Sequence, residues 1–226
     1  MGTFPAPGLV RTSPLPPSGL YPSADLCNLA LLKLGANFIR DINESSPSAL
    51  RLKLIYPYKL EELLLAKDWR FAKNTLPLVR SGTSPVKGFL YAYLLPSDYL
   101  KTIQVPSKRL NYYDYPVYPP YPYRIQVDSA GIMVLMTDYA DTTAEPLYMT
   151  YIARESDESK FSPMFREALV CLLAKELCAP TTDSASKLQE LSGAYYSALT
   201  NAGIANEFLD SYDEESGESW VDVGRY

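Results

Sequence analysis

The sequence contains no histidine. Histidine is the only side chain with an ordinary pKa near neutrality, and it is also the commonest metal ligand in proteins. Its absence excludes Ser-His-Asp and Cys-His hydrolases, His-ligated zinc sites and enzymes that use His as an acid or base. The patterns G-x-G-x-x-G, G-x-x-x-x-G-K-[ST] and C-x-x-C and the EF-hand loop are missing too. We therefore predict that the chain is not an enzyme and has no catalytic, cofactor-binding or metal-binding residue.

Cysteine is scarce, and long apolar runs are lacking. Cys27, Cys171 and Cys178 are an odd number, far too few for a disulfide scaffold, and each lies in an apolar, helix-like stretch. We interpret them as buried, reduced thiols. No uninterrupted apolar run approaches the roughly 18 residues that a membrane span needs, and the start of the chain lacks the signature of a secretory signal. We expect a protein kept in a reducing cytoplasm, with no membrane partner.

Length and composition favour one compact domain. The 226 residues are 47% hydrophobic and 21% charged, enough to bury a core, and the net charge is −5. Apolar residues recur at helical spacing over residues 23–72 and 162–204, whereas a period of two runs over 76–153. We predict an α+β fold over residues 23–206, in which the N- and C-terminal helix pairs form a bundle with a β-rich module inserted between them.

The first two helices have recognisable ends. Ser23 follows a proline and begins the first, which Gly35 ends as a left-handed cap. In the second, Pro57 lacks an N–H and clashes with the carbonyl four residues back, so we expect a kink or break near Tyr56. The apolar positions at helical spacing are Leu26, Leu29, Ala30 and Leu34 in the first helix and Leu52, Ile55, Tyr56, Leu60, Leu63 and Leu64 in the second.

The remaining elements follow the same rules. Ser162 and Pro163 are typical of a helix start, and residues 168–174 are apolar all round, as in a buried helix. We expect the last helix to begin after Pro180 and to end near Gly203. Asp128 to Gly131 form a hairpin turn. The predicted strands are 89–95, 102–105, 124–127, 132–136 and 147–153.

Residues 111–123 hold six tyrosines and four prolines. Both residue types lose little conformational entropy when immobilised, and tyrosine combines apolar area with a polar tip, so the stretch favours a protein contact surface. An ordinary loop packed on its own sheet, a monomeric peptide- or glycan-binding module and stacking of single-stranded bases are the alternatives; few basic residues lie nearby for the last. The predicted contact residues are Tyr112, Tyr113, Tyr115, Tyr118, Tyr121 and Tyr123.

Both ends of the chain differ from the domain between them. Residues 1–22 are rich in proline and form an extended arm, which we expect to strap onto a neighbouring subunit or another partner. Residues 207–226 carry seven acidic side chains against one arginine, so the rest of the chain is near neutrality. This acidic tail also holds aromatic residues that a solubilising tail does not need, which favours a docking peptide. Its predicted contact residues are Phe208, Tyr212, Trp220 and Tyr226.

One group of residues suggests a catalytic alternative. Glu158 and Lys160 follow a predicted strand, and Asp98 lies upstream after Pro96 and Ser97, as in a metal-dependent nuclease that pairs carboxylates with a lysine. Such sites need carboxylates that converge from adjacent strands, whereas Glu158 lies in a polar stretch and Asp98 in a turn. A solvated linker is the simpler interpretation.

Four segments carry a family resemblance. They are residues 29–35 (LALLKLG), 39–44 (IRDINE), 63–72 with Trp69, Phe71 and Ala72, and 91–100 (YAYLLPSDYL). Together they resemble the tail tubular protein A family, the head-to-tail adaptors of short-tailed bacteriophages. The resemblance in motifs covers residues 24–105. Over residues 147–205 it is limited to the arrangement of helices. It does not include the arm, the tyrosine- and proline-rich stretch or the acidic tail.

The resemblance implies a structural protein of the virion. It implies a homo-oligomeric ring, commonly a dodecamer, seated in the neck between the portal protein and the tail nozzle, with tail fibres as a further partner. Such a ring joins head to tail, seals the head after packaging and passes DNA through its bore without specific binding; it is assembled in the host cytoplasm. A near-neutral body suits a conduit, because neutralising phosphates with basic residues would hold the duplex. In this light Trp69 and Phe71 anchor the core.

Overall fold

The computed structural model describes residues 22–82, 88–105, 122–128, 130–142, 146–182 and 184–215, the last eight of these by their backbone alone. Within these ranges the fold is α+β, with four helices and two antiparallel sheets. The helices are α1 (Ala24–Leu34), α2 (Pro47–Ala66), α3 (Pro163–Thr182) and α4 (Ala185–Glu215). The strands are β1 (Lys73–Pro77), β2 (Val79–Arg80), β3 (Tyr91–Leu94), β4 (Tyr99–Gln104), β5 (Tyr123–Val127), β6 (Met133–Thr137) and β7 (Tyr148–Ala153).

Two antiparallel sheets share one continuous stretch of chain. The first sheet has the order β1-β7-β4 and the second the order β2-β3-β6-β5. Only Leu78 separates β1 from β2, so the chain passes from one sheet directly into the other. The predicted hairpin joins β5 to β6: Asp128 accepts hydrogen bonds from the backbone of Ala130 and Ile132, and Gly131 has a φ of 82°.

Serine side chains cap all four helices, as the sequence indicates for two of them, and Ser184 caps α4 by accepting a hydrogen bond from the N–H of Lys187. The hydroxyl of Ser23 accepts a hydrogen bond from the backbone N–H of Leu26 at the start of α1, and Ser162 does the same for Phe165 in α3. Ser46 caps α2 in the same way. Gly35 ends α1 in the left-handed region at a φ of 66°, so this predicted cap is confirmed.

One predicted helix boundary, the end of the last helix, is wrong, and α2 and α3 each contain a proline. Helix α2 runs through Pro57 without a break, because one missing N–H in a 20-residue helix is offset by the burial of its apolar face. Helix α3 likewise runs through Pro180 to Thr182, since a proline in the last turn removes only one backbone hydrogen bond. Helix α4 continues past Gly203 to Glu215; a Cβ there would lie 3.0 Å from Cε of Lys67, so the glycine leaves room for that side chain.

The predicted core positions of the helices are largely confirmed. The stripe of α2 is buried apart from Ile55, which is half-buried, and residues 168–174 of α3 are buried on every side. Leu29 is the exception, since 51% of its surface is exposed. Trp69 is buried, and Phe71 is partly buried against the same core. Both residues follow the end of α2: Trp69 directly precedes a 3-10 turn at Arg70–Ala72, and Phe71 lies within it.

The first sheet lies between the helices and the second sheet. Helix α3 contacts α1, α2 and α4, and the core around it includes Ile152 of β7 and Leu100 of β4. The opposite face of the first sheet contributes Met149 and Tyr151 to a second core, which it shares with Tyr93 of the second sheet. Alternate residues of one strand thus pack in opposite directions, as the pleat requires.

We predict that Gly35→Ala destabilises the fold by about 1 kcal/mol. No atom would obstruct the new Cβ, so the cost comes from forcing an L-residue into the left-handed region. The measurement is urea unfolding followed by circular dichroism. Gly193→Ala is the matched control, because Gly193 lies inside α4 with equally open space. That change should stabilise the helix by about 0.5 to 1 kcal/mol, and equal effects at both sites would contradict the assignment.

Candidate interaction surfaces

Most of the predicted contact residues lie outside the described part of the chain. This holds for Tyr112, Tyr113, Tyr115, Tyr118 and Tyr121, for Trp220 and Tyr226, and for the side chains of Phe208 and Tyr212. Tyr123 begins β5 and is 38% exposed. The backbone of residues 207–215 belongs to α4, so the first half of the predicted tail is helical.

The largest side chains of one face of α2 point into solvent. Leu50, Leu54 and Tyr58 are 58%, 68% and 65% exposed. They are spaced four residues apart, which aligns them along roughly 12 Å of the helix. We call these three residues the outer face of α2. The same four-residue spacing is present in the sequence, beside the buried stripe of the same helix.

Two further exposed apolar groups lie elsewhere on the molecule. Leu29 and Leu32 on α1 and Phe38 just after it are each at least half exposed. At the tip of the β5–β6 hairpin, Val127, Ile132 and Met133 are 53%, 48% and 50% exposed. Single exposed apolar residues are ordinary, whereas a group indicates a surface that another molecule covers.

A groove of about 640 Å³ opens where the two sheets meet at β1 and β2. Its walls are mostly apolar and include Leu76, Val79 and Leu94, and Ser97 lies at its rim. Its polar lining includes Asn74 and Asp98, and the carboxylate of Asp98 accepts a hydrogen bond of 2.9 Å from the hydroxyl of Tyr151. Burial, helped by this hydrogen bond, raises the pKa of Tyr151 to about 12, so its hydroxyl remains a donor at neutral pH. We call this feature the inter-sheet groove.

The backbone of Asp98 is also held in place. Its carbonyl accepts a hydrogen bond from the N–H of Arg154 at 2.6 Å, at the point where β7 ends. The guanidinium of Arg154 in turn lies 2.6 Å from the carboxylate of Glu61 on α2. Arg154 therefore connects Asp98 to helix α2.

Glu158, the predicted nuclease carboxylate, joins three elements. It accepts hydrogen bonds from the backbone N–H of Ser23 at 2.9 Å, from the hydroxyl of Ser23 at 2.7 Å and from the hydroxyl of Tyr56 at 3.1 Å. Burial, followed by the charge of Glu158, raises the pKa of Tyr56. The carboxylate therefore connects the start of α1 and the middle of α2 to the 3-10 turn Glu158–Lys160.

Each of the predicted nuclease residues has another partner in the structure. The ammonium of Lys160 lies 2.6 Å from Glu155, and this contact raises the pKa of Lys160. The carboxylate of Asp98 accepts a hydrogen bond from Tyr151, and that of Glu158 accepts hydrogen bonds from Ser23 and Tyr56. Among the residues that the structure describes, no three His, Cys, Asp or Glu side chains are grouped as a metal ion would require.

The three cysteines are free thiols and are buried, as predicted. Burial raises the pKa of Cys27 to about 12, with a smaller contribution from the charge of Glu158. Burial is also the main cause of the raised pKa of Cys171. Since the thiolate is the reactive form, neither of these two thiols is poised for chemistry.

No protein-family model matches the chain, and no curated protein matches it either. In the described ranges, none of the helices is both long and apolar enough to cross a bilayer.

We predict that Glu158→Gln lowers the free energy of unfolding by about 1 to 2 kcal/mol, because it removes the charge from three hydrogen bonds. Urea unfolding at pH 7 measures the loss. Glu62→Gln is the control: this exposed carboxylate pairs with Lys59 on the same helix, and such a pair contributes only about 0.3 kcal/mol. Equal losses for both variants would mean that Glu158 does not connect the helices.

We also predict that 5,5′-dithiobis(2-nitrobenzoate) modifies no cysteine rapidly at pH 8 in the native protein. All three thiols are buried, and at Cys27 very little thiolate is present at that pH. In urea all three should react within minutes, which is the internal control. A rapidly reacting thiol before unfolding would show that one of these side chains is accessible.

Proposed function

We propose that this protein is a virion structural protein, the head-to-tail adaptor ring that joins the portal to the tail nozzle and forms part of the DNA ejection channel. The observation that supports it best is the outer face of α2. There Leu50, Leu54 and Tyr58 form an apolar strip on a regular helix whose opposite side is already buried in the core. Such a strip is what a neighbouring subunit covers in an assembly.

The geometry of a ring explains why the strip lies on one side only. In a closed ring of identical subunits, each interface joins one surface of a subunit to a different surface of the next, so no patch meets its own copy. Removing apolar area from water contributes roughly 25 cal/mol per Å², or about 2 kcal/mol for a buried leucine side chain. The exposed residues on α1 and at the hairpin tip supply further apolar area for contacts of this kind.

The arrangement of helices is in keeping with the proposed subunit. Helix α3 packs against α1 and α2 from the N-terminal half and against α4 from the C-terminal half, as in a bundle formed by both ends of the chain. The acidic tail after residue 206 is proposed to dock on the portal or the nozzle, with the tyrosine- and proline-rich stretch as a second contact. The bore passes DNA without specific binding.

Electron microscopy and native mass measurement test this proposal directly. The purified protein is examined alone and after mixing with portal rings from a short-tailed phage that carries this protein. We expect rings of about twelve copies, as the resemblance implies, at least on the portal. A protein that stays monomeric in both conditions would overturn the proposal.

We further predict that Leu54→Lys prevents ring formation while the subunit stays folded. Each interface would lose about 2 kcal/mol of apolar burial and would have to accommodate a charge, so the contact should weaken at least tenfold. Leu90→Lys is the matched control, since Leu90 is 67% exposed against 68% for Leu54 but precedes β3. Ring yield by size-exclusion chromatography is the measurement; intact rings with Leu54→Lys would remove α2 from the interface.

A further inference from the structure

The inter-sheet groove combines apolar walls with a carboxylate. Asp98 is partly buried, and one of its carboxylate oxygens accepts the hydrogen bond from Tyr151. Within the described ranges, its other carboxylate oxygen accepts no hydrogen bond and no ion pair. An apolar groove lined by such a carboxylate suits an extended apolar segment with one cationic side chain.

Residues 1–21 contain a segment with this chemistry. Arg11 is the only charged side chain among them, and Leu9 and Val10 come directly before it. Prolines flank this part of the arm at positions 7 and 14, so residues 8–13 are its longest stretch that keeps every backbone N–H. The groove lies beside β1 and β2, each at the end of its sheet, where an extended segment can add alongside.

The arm begins within reach of Asp98. The N–H of Ser23 donates a hydrogen bond to Glu158, and the N–H of Arg154 donates one to the carbonyl of Asp98. Arg154 lies only four residues before Glu158 along the chain. The chain from Arg154 to Glu158 and the groups involved span roughly 30 Å at most, whereas the twelve steps along the chain from Arg11 to Ser23 reach about 40 Å when extended. Arg11 can therefore reach Asp98 of its own chain, and the short tether gives a high effective concentration.

We propose that the inter-sheet groove binds residues 8–13 of its own chain, with Leu9 and Val10 against the apolar walls and the guanidinium of Arg11 paired with the carboxylate of Asp98. The arm is then folded back on the free subunit rather than extended to a neighbour. This proposal does not rest on the adaptor function, because the contact lies within one chain.

Disulfide trapping in the full-length protein tests it. Thr12→Cys and Ser97→Cys are combined, because Thr12 follows Arg11 and Ser97 lies exposed at the rim of the groove next to Asp98. After mild oxidation at low protein concentration, we expect a disulfide within one chain, identified by peptide mapping without reductant. The three natural cysteines are buried and should stay reduced. Thr12→Cys with Thr200→Cys, at an exposed site on α4, is the control and should not cross-link.

The charge pair is tested in the same background. Asp98→Asn can still accept the hydrogen bond from Tyr151 but removes the charge, so cross-linking should slow about threefold, the usual effect of one exposed ion pair. Asp98→Lys should slow it further, and Arg11→Glu added to Asp98→Lys should restore it. A dimer linked between two chains would overturn the proposal in favour of a second copy as the occupant. The absence of a cross-link would also overturn it. The same would follow if the rate of disulfide formation did not change with the charges at positions 98 and 11.

Discussion

The middle of helix α3, residues 168–174, is apolar on all sides, so every side of it has to be covered. Residues 168–174 have no polar face to turn toward water, and leaving them exposed would cost several kcal/mol. Helices α1, α2 and α4 and the first sheet each contribute to that cover. The places of the other elements follow from this requirement, and it explains why both halves of the chain contribute to one core.

An aromatic cluster fixes the way in which α2 leads into the sheets. The ring of Trp69 meets that of Phe165 edge to face at 4.9 Å, and Phe71 meets Phe165 in the same manner at 4.8 Å. The indole N–H of Trp69 donates a 2.7 Å hydrogen bond to the carbonyl of Leu63. The chain after α2 is thereby held against α3 before it enters β1. This contact therefore determines where the first sheet lies relative to α3.

Two polar contacts then attach the ends of the described chain to this core. The carboxylate of Glu158 holds the backbone and side chain of Ser23, where α1 begins. Asn206 of α4 accepts a hydrogen bond from the N–H of Arg70 and donates one to the carbonyl of Asp68, beside the aromatic cluster. Both contacts join residues more than 130 positions apart, so no local sequence pattern predicts either of them. Sequence reasoning interpreted Glu158 as a catalytic candidate or a solvated linker residue for this reason.

Local rules predicted the helix caps, the buried faces and the β5–β6 turn, because each depends on residues within a few positions of one another. They failed where packing overrides a local cost, as at Gly203, through which α4 continues. The outer face of α2 could have been found from the spacing of Leu50, Leu54 and Tyr58. The inter-sheet groove could not, since Asp98 and Tyr151 are brought together only by the pairing of β4 with β7.

The passage of the chain through Leu78 has a mechanical consequence. Leu78 is 5% exposed, and its N–H donates a 2.8 Å hydrogen bond to the carbonyl of Leu147, so the link between the two sheets is itself clamped. The chain also enters β7 at this end, because Pro77 pairs with Tyr148, so the second sheet is joined to the first by two neighbouring strands. Tension on the second sheet would therefore pass along the backbones of β1 and β7 side by side, without pulling one strand away from the other.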